Sequence, residues 1–313
     1  MKKHHLLALF VALGLLVGLL LGPGTAAQGP STQLVMILDG SGSISSDEWT
    51  LITNGLADAI ENPDCIPHDG SVELTVIQFS TNARLEVGPV VITSANASSV
   101  ATQIRGITQM GGTTCIACGF CLAQYVLRNH PSSHYNASLK QALNLVTDGA
   151  PNECADCADC TGDPNWECPS SDCPDGVDEY DSAEAARDYV ISRLGMTPGQ
   201  DEIDAEFIGT QGAASDWLKD KIVWPQPGSY AYDPPFTAGW VRVIPDAATF
   251  ADTVCEKITE IVPTPTPAPT PTPAPVGGII VPVSKVELLA PYLGLAALMV
   301  AAVAAAVVRR RRA

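Results

Sequence analysis

Asp39, Ser41 and Ser43 alternate with Gly40 and Gly42, directly after the apolar run Leu34-Val35-Met36-Ile37-Leu38. Two glycines let the backbone turn tightly, so the three side chains can face one point. A carboxylate and two hydroxyls are hard oxygen donors, suited to Mg²⁺, Mn²⁺ or Ca²⁺ and not to a soft metal. Two later stretches offer the same chemistry. Thr113 follows Gly111-Gly112, and Asp148 stands between the apolar stretch 143–147 and Gly149. By itself the first turn also has a plainer reading, a strand-to-helix turn in which Asp39 or a serine caps the following helix. Recurrence at three places favours a metal site.

Such residues need a sheet whose strands end together. Residues 33–38 read as a buried strand, and one that stops at Asp39 delivers a carboxylate to the carboxyl edge, where open α/β sheets bind ligands. Further strands are expected over 71–79, 84–92, 139–147, 203–208 and 240–244, and helices over 45–62, 96–107, 114–129, 182–194, 213–223 and 246–261. Strands 71–79 and 84–92 form a hairpin, the second an edge strand interrupted by Gly88-Pro89. A Cys-rich insertion over 152–177 breaks the alternation. The fold class is therefore α/β: a doubly wound, mostly parallel sheet with one antiparallel edge strand and helices on both faces.

The set Asp39-x-Ser41-x-Ser43, Thr113 after two glycines and Asp148 before a glycine resembles a von Willebrand factor type A domain, over residues 32–262. The resemblance implies a Rossmann-like fold and a metal-ion-dependent adhesion site, as in integrin I domains. It makes Ser41, Ser43 and Thr113 hydroxyl ligands, with Asp39 and Asp148 bound directly or through water. The implied ion is Mg²⁺ (or Mn²⁺ or Ca²⁺), and the implied partner is a protein ligand whose Asp or Glu carboxylate completes the shell. The chain departs from the family pattern in the three cysteines of the helix after Thr113 and in the long loop after Asp148.

Ten cysteines open other chemistry. Cys115, Cys118 and Cys121 form one triplet, Cys154, Cys157 and Cys160 another, followed by Cys168 and Cys173; Cys65 and Cys255 remain as a separate pair. In an exported chain an even count reads as disulfides, with connectivity left open. The Cys-x2-Cys spacing also suits zinc or an iron–sulfur cluster. A thiol–disulfide oxidoreductase is the weakest reading, for want of a single helix-capping Cys-x2-Cys. Residues 153–184 hold 11 acidic side chains and no Lys or Arg. Asp172, Asp175, Asp178 and Asp181 around Gly176 offer oxygens for a structural Ca²⁺, although the spacing fits no EF-hand loop and a solvated acidic loop is the better reading. Pro131 spoils His130-x3-His134 as a zinc pair, and Gly40-Ser41-Gly42 lacks the spacing of a nucleophile elbow. Asn96 and Asn136 head glycosylation sequons.

The ends set the compartment. Residues 1–27 have the basic start, apolar run and small-residue end of a signal peptide. Residues 263–275 repeat Thr-Pro and Ala-Pro, an extended stalk of about 40 Å at about 3.1 Å per residue. After a juxtamembrane segment, 276–287, residues 288–308 carry no charge and are long enough to span a bilayer. The basic tail 309–313 then places the C-terminus in the cytoplasm, leaving a single-pass cell-membrane protein with its folded domain outside. Residues 28–275 hold 33 of the 34 acidic side chains and 10 of the 17 basic ones, a field that repels nucleic acid and draws divalent cations. The expectation is a non-enzymatic, metal-dependent adhesion or protein-binding module. The alternatives are an envelope scaffold that uses the metal site to bind a membrane partner, or a Cys-dependent redox enzyme.

Overall fold

Seven strands build one sheet: β1 (Thr32–Asp39), β2 (Asp69–Phe79), β3 (Ala83–Thr93), β4 (Lys140–Thr147), β5 (Glu167–Cys168), β6 (Glu202–Ile208) and β7 (Val241–Ile244). The structure, a computed structural model, describes residues 29–162, 166–232 and 237–262. The expected signal peptide, stalk, juxtamembrane segment, membrane span and basic tail lie outside the described residues. Among the described residues no helix is long and apolar enough to cross a membrane.

The strand order is β5-β3-β2-β1-β4-β6-β7. β1 pairs in parallel with both β2 and β4, and β6 and β7 continue the parallel half. β3 returns antiparallel to β2. The sheet is therefore mostly parallel with an antiparallel edge, as expected. One detail differs: β3 is not the last strand, because Glu167 and Cys168 of the insert pair with Arg84 and Ala83.

Helices cover both faces: α1 (Ser46–Glu61), α2 (Ala97–Arg105), α3 (Ile116–Asn129), α4 (Glu179–Leu194), α5 (Ala213–Trp217), which runs on into a π-helical turn at Leu218–Ile222, and α6 (Ala247–Ile261). The alternation along β1 divides the core. Leu34, Met36 and Leu38 pack with Leu56 of α1, Ile104 of α2 and Phe250 of α6. Val35 and Ile37 pack with Phe120 of α3 and Val190 of α4. Each apolar side chain of β1 is fully buried, and each such burial contributes about 1.5–3 kcal/mol. Parallel pairing with β2 on one side and β4 on the other fixes the register of β1, and its last residue, Asp39, stands opposite Phe79 at the sheet edge.

Two helix starts differ from expectation for local reasons. α4 begins three residues early because Asp178 Oδ1 accepts from Asp181 N at 2.8 Å and caps it. α3 begins at Ile116 because Cys115 takes the cap position, its sulfur accepting from Cys118 N.

All ten cysteines are paired. The bonds are Cys65–Cys255, Cys115–Cys118, Cys121–Cys157, Cys154–Cys173 and Cys160–Cys168. This overturns the zinc or iron–sulfur reading. The sulfurs of Cys121, Cys160 and Cys168 lie within 4.8 Å of one another, but each is held in a disulfide and none is a thiolate. It also corrects the reason given against redox chemistry, since Cys115–Cys118 is a Cys-x2-Cys pair at a helix start. Both residues are fully buried, which denies an exchange partner the in-line access that thiol–disulfide exchange requires. The histidines have other roles. His130 lies 4.6 Å from the Trp166 ring and His134 Nδ1 meets Glu73 Oε2.

Candidate metal centre

Three turns meet at the carboxyl edge of β1. The first, Gly40 to Ile44, is held from below and behind. Gln109 Nε2 donates to the carbonyls of Ser41 and Ile44 at 3.0 and 2.7 Å. On its far side Ser45 caps α1 in a reciprocal box with Glu48, which fixes where the turn ends. Gly40 is there for space: a Cβ would stand 2.1 Å from Gln78 Oε1, the atom that accepts from Met110 N.

The second turn docks on the first through the backbone. Gly42 N donates to Gly112 O at 2.9 Å, and Gly111 N donates to Gly40 O at 2.8 Å. Gly112 has φ +98°, and a Cβ there would meet Thr81 Oγ1 at 2.5 Å, so both conformation and contact demand glycine. The third turn follows β4, whose parallel pairing with β1 sets Asp148 beside the Ser43 hydroxyl.

The side chains form a connected oxygen cluster. Ser41 Oγ and Ser43 Oγ are 2.9 Å apart, and Ser43 Oγ donates to Asp148 Oδ1 at 2.8 Å. Asp39 lies beneath, its Oδ1 accepting from Ser41 N at 2.9 Å and its Oδ2 from the Thr147 hydroxyl at 2.7 Å. Asp39 and Ser41 form a buried floor, and Ser43 and Asp148 a more open rim. Thr113 comes to the same edge, but its hydroxyl donates to Thr81 Oγ1 at 2.8 Å. Four of the five expected groups thus share one hydrogen-bonded turn system, and the fifth is turned towards the β2–β3 hairpin.

Electrostatics favour a cation here. Burial pushes the Asp39 carboxyl up to about 6, against the lowering effect of its hydrogen bonds from Thr147 and Ser41. Burial also raises Asp148, partly offset by Ser43. No basic side chain is among the causes acting on either group. Two carboxylates held in a desolvated edge without a positive partner, beside three hydroxyl-bearing residues, fit a hard divalent ion, which would offset the cost of their charge.

Thr147 and Thr81 were missed by sequence reasoning. Thr147 was visible as the residue before Asp148, at the end of a strand expected beside β1. Thr81 had no signal beyond its place in a short hairpin turn. In the acidic insert, Asp178 Oδ1 is spent on a helix cap, and among the described residues no three carboxylates come together there.

Residues 33–162 match the von Willebrand factor type A domain family. Among curated proteins, the collagen alpha-6(VI) chain of Mus musculus is 31% identical over 116 residues, 37% of this chain and 5% of that protein. Among solved structures, a PilB minor pilin variant from Streptococcus sanguinis gives a TM-score of 0.50 at 14% identity, covering 76% of this chain and 63% of that one. Proximal thread matrix protein 1 from the mussel byssus, in a form with a zinc-occupied MIDAS motif, gives 0.46 at 14% identity, covering 74% and 46%. The chain spans a twentieth of the collagen chain and less than two thirds of either solved structure. With that match and this sheet, the chain carries a von Willebrand factor type A domain.

Proposed function

We propose that this chain is a membrane-tethered, extracellular module that binds a protein ligand through a divalent cation. The oxygen cluster of Asp39, Ser41, Ser43 and Asp148 at the end of β1 carries this reading. Asp39, Ser41, Ser43 and Asp148 would hold the ion, with Thr113 joining them once its hydroxyl leaves Thr81. The bound ion supplies an electrophilic centre, Mg²⁺ in first place, for an Asp or Glu carboxylate of the partner. The chain's own residues do the rest. Two buried donors, Ser41 N and the Thr147 hydroxyl, orient the Asp39 carboxylate, while neutral hydroxyls leave the site short of negative charge.

Tethering rests on the sequence of residues 1–27 and 288–308, and placement outside the cell agrees with five disulfides in one domain. Capture experiments from the native cell surface, run with the full chain in Mg²⁺ and again with a chelator, test this reading. Capture of a protein only with metal, lost in Asp39→Ala, is expected. Capture that survives chelation and Asp39→Ala would contradict it. A partner recovered only within a membrane complex would support the envelope-scaffold alternative.

A further inference from the structure

Away from the metal centre, β6 carries three acidic side chains, Glu202, Asp204 and Glu206, and all three are buried. Lys257 of α6 comes down on them, its Nζ 3.7 Å from Asp204 Oδ2, and both of these side chains are fully enclosed. Buried ion pairs persist where further hydrogen bonds satisfy each partner. Here Lys257 Nζ donates to no acceptor within hydrogen-bond distance, and among the described residues no N–H donates to Asp204 Oδ2. An amine and a carboxyl thus face each other in the dry interior with little else to hold them.

The surroundings suit a reaction between the two. Trp240 N donates to Asp204 Oδ1 at 2.9 Å, a backbone donor placed where negative charge on that oxygen would be stabilised. The centre of the Trp240 ring lies 3.3 Å from Nζ and covers it. Glu202 lies against Asp204; burial and the Asp204 charge push its carboxyl up to about 9, so it keeps a proton at neutral pH. Burial likewise raises Asp204 and lowers Lys257, towards the neutral acid and neutral amine that can join. Groups held together in this way react at effective concentrations that reach about 10⁵–10⁸ M.

We infer that Lys257 and Asp204 condense to an amide between Nζ and Cγ, an internal cross-link between α6 and β6. The ion pair is the form in which folding brings them together. One Nζ proton passes to Asp204 Oδ2, leaving a neutral amine and a neutral acid. Nζ then attacks Cγ, and the carbonyl electron pair moves onto Oδ1 beside Trp240 N. Glu202 gives its proton to the Oδ2 hydroxyl and recovers one from Nζ. The pair on Oδ1 re-forms the carbonyl as the Cγ–Oδ2 bond breaks and one water leaves, with no oxidant or activated donor consumed. Lys140 Nζ stands closer to a carboxyl, 2.6 Å from Glu202 Oε1, but among the described residues no backbone N–H donates to that group. Cys65–Cys255 already ties α6 covalently, and the amide adds a tie to the sheet itself that reductants do not break.

The test digests the purified full chain with trypsin, after reduction and alkylation, and reads the peptides by tandem mass spectrometry. Expected is a branched peptide joining residues 194–219 to 243–285, lighter than their sum by one water, because trypsin does not cut at an acylated Lys257. Lys257→Arg and Asp204→Ala are expected to abolish it. Glu202→Gln, which keeps the shape of the side chain, is expected to lower the linked fraction about tenfold or more. Separate, unmodified peptides ending at Lys219 and Lys257 in the parent chain would overturn the proposal. So would loss of water confined to 194–219, the mark of a succinimide at Asp204, or a branch from Lys140 to Glu202. A linked fraction unchanged in Glu202→Gln would overturn the part given to Glu202.

Discussion

The Thr147 hydroxyl donates to Asp39 Oδ2 at 2.7 Å, joining the ends of β4 and β1 beneath the metal centre. With Ser41 N on Oδ1, both carboxylate oxygens of Asp39 are held in place before any ligand arrives. Thr147→Val keeps the branched shape of a fully buried residue and removes its hydroxyl, which donates to Asp39 and also accepts from Gly149 N at 3.2 Å. It is expected to weaken Mg²⁺ binding about 10- to 100-fold, as loss of a ligand's supporting hydrogen bond commonly does. Calorimetric titration of the full chain checks this, and an unchanged affinity would show that Thr147 has no part in positioning Asp39.

Asp39 also gives the metal-free protein a defined pH dependence. Its carboxyl is pushed up to about 6 by burial, above the ordinary value of 3.8 that it has when unfolded. The folded state therefore holds this proton more tightly. Its stabilising contribution is full below pH 3.8 and is lost as pH rises through about 6. At neutral pH the buried charge costs about 3 kcal/mol, so Asp39→Asn is expected to stabilise the metal-free domain by up to that amount while abolishing metal binding. Denaturant titrations at pH 4 and pH 7.5 read the difference directly. A variant equally destabilised at both values would contradict the buried-charge origin.

The last helix of the described residues, α6, is anchored by a buried cation. Lys257 of α6 is fully buried, 3.3 Å from the centre of the Trp240 ring and 3.7 Å from Asp204 Oδ2. It lowers the carboxyls of both Asp204 and Glu206, which burial otherwise raises. Lys257→Met leaves those carboxylates uncompensated and is expected to cost about 3–5 kcal/mol. Adding Asp204→Asn is expected to recover part of that loss. A single variant as stable as the parent in thermal unfolding would show that the pair contributes nothing.

Cys65–Cys255 closes a loop with a sequence separation of 190 and ties α6 to the segment that follows α1. Changing both residues to alanine is expected to cost about 2–5 kcal/mol, chiefly by freeing the unfolded chain. Differential scanning calorimetry under non-reducing conditions would show the lowered transition. The metal affinity of the double variant is expected to stay near that of the parent, since the bond is remote from the oxygen cluster.

The frame of the sheet was legible because its signals are local. A continuous apolar run that halts at Asp39, and a second that halts at Thr147-Asp148-Gly149, declare two buried strands ending at one edge. Residues 45–48 declare the helix cap that follows. What escaped notice depends on partners distant in sequence. Neither Thr81 nor Thr147 differs, as a residue, from any other threonine; each matters through a neighbour brought by sheet pairing. Glu202, Asp204 and Glu206 alternate with apolar residues as an exposed face would, yet both faces of β6 are covered. Cysteine pairing followed the same rule. The two triplets are joined by Cys121–Cys157 alone, while Cys115–Cys118 closes on itself, and spacing cannot tell those outcomes apart.

Direct titration of the full chain with Mn²⁺, followed by electron paramagnetic resonance, is the most direct test of whether three turns gather their oxygens around one ion. One ion per chain is expected, displaced by Mg²⁺, with affinity reduced about tenfold or more in Ser43→Ala and in Asp148→Ala and lost in Asp39→Ala. Absence of binding in the parent chain, or binding that all three variants retain unchanged, would contradict the metal centre.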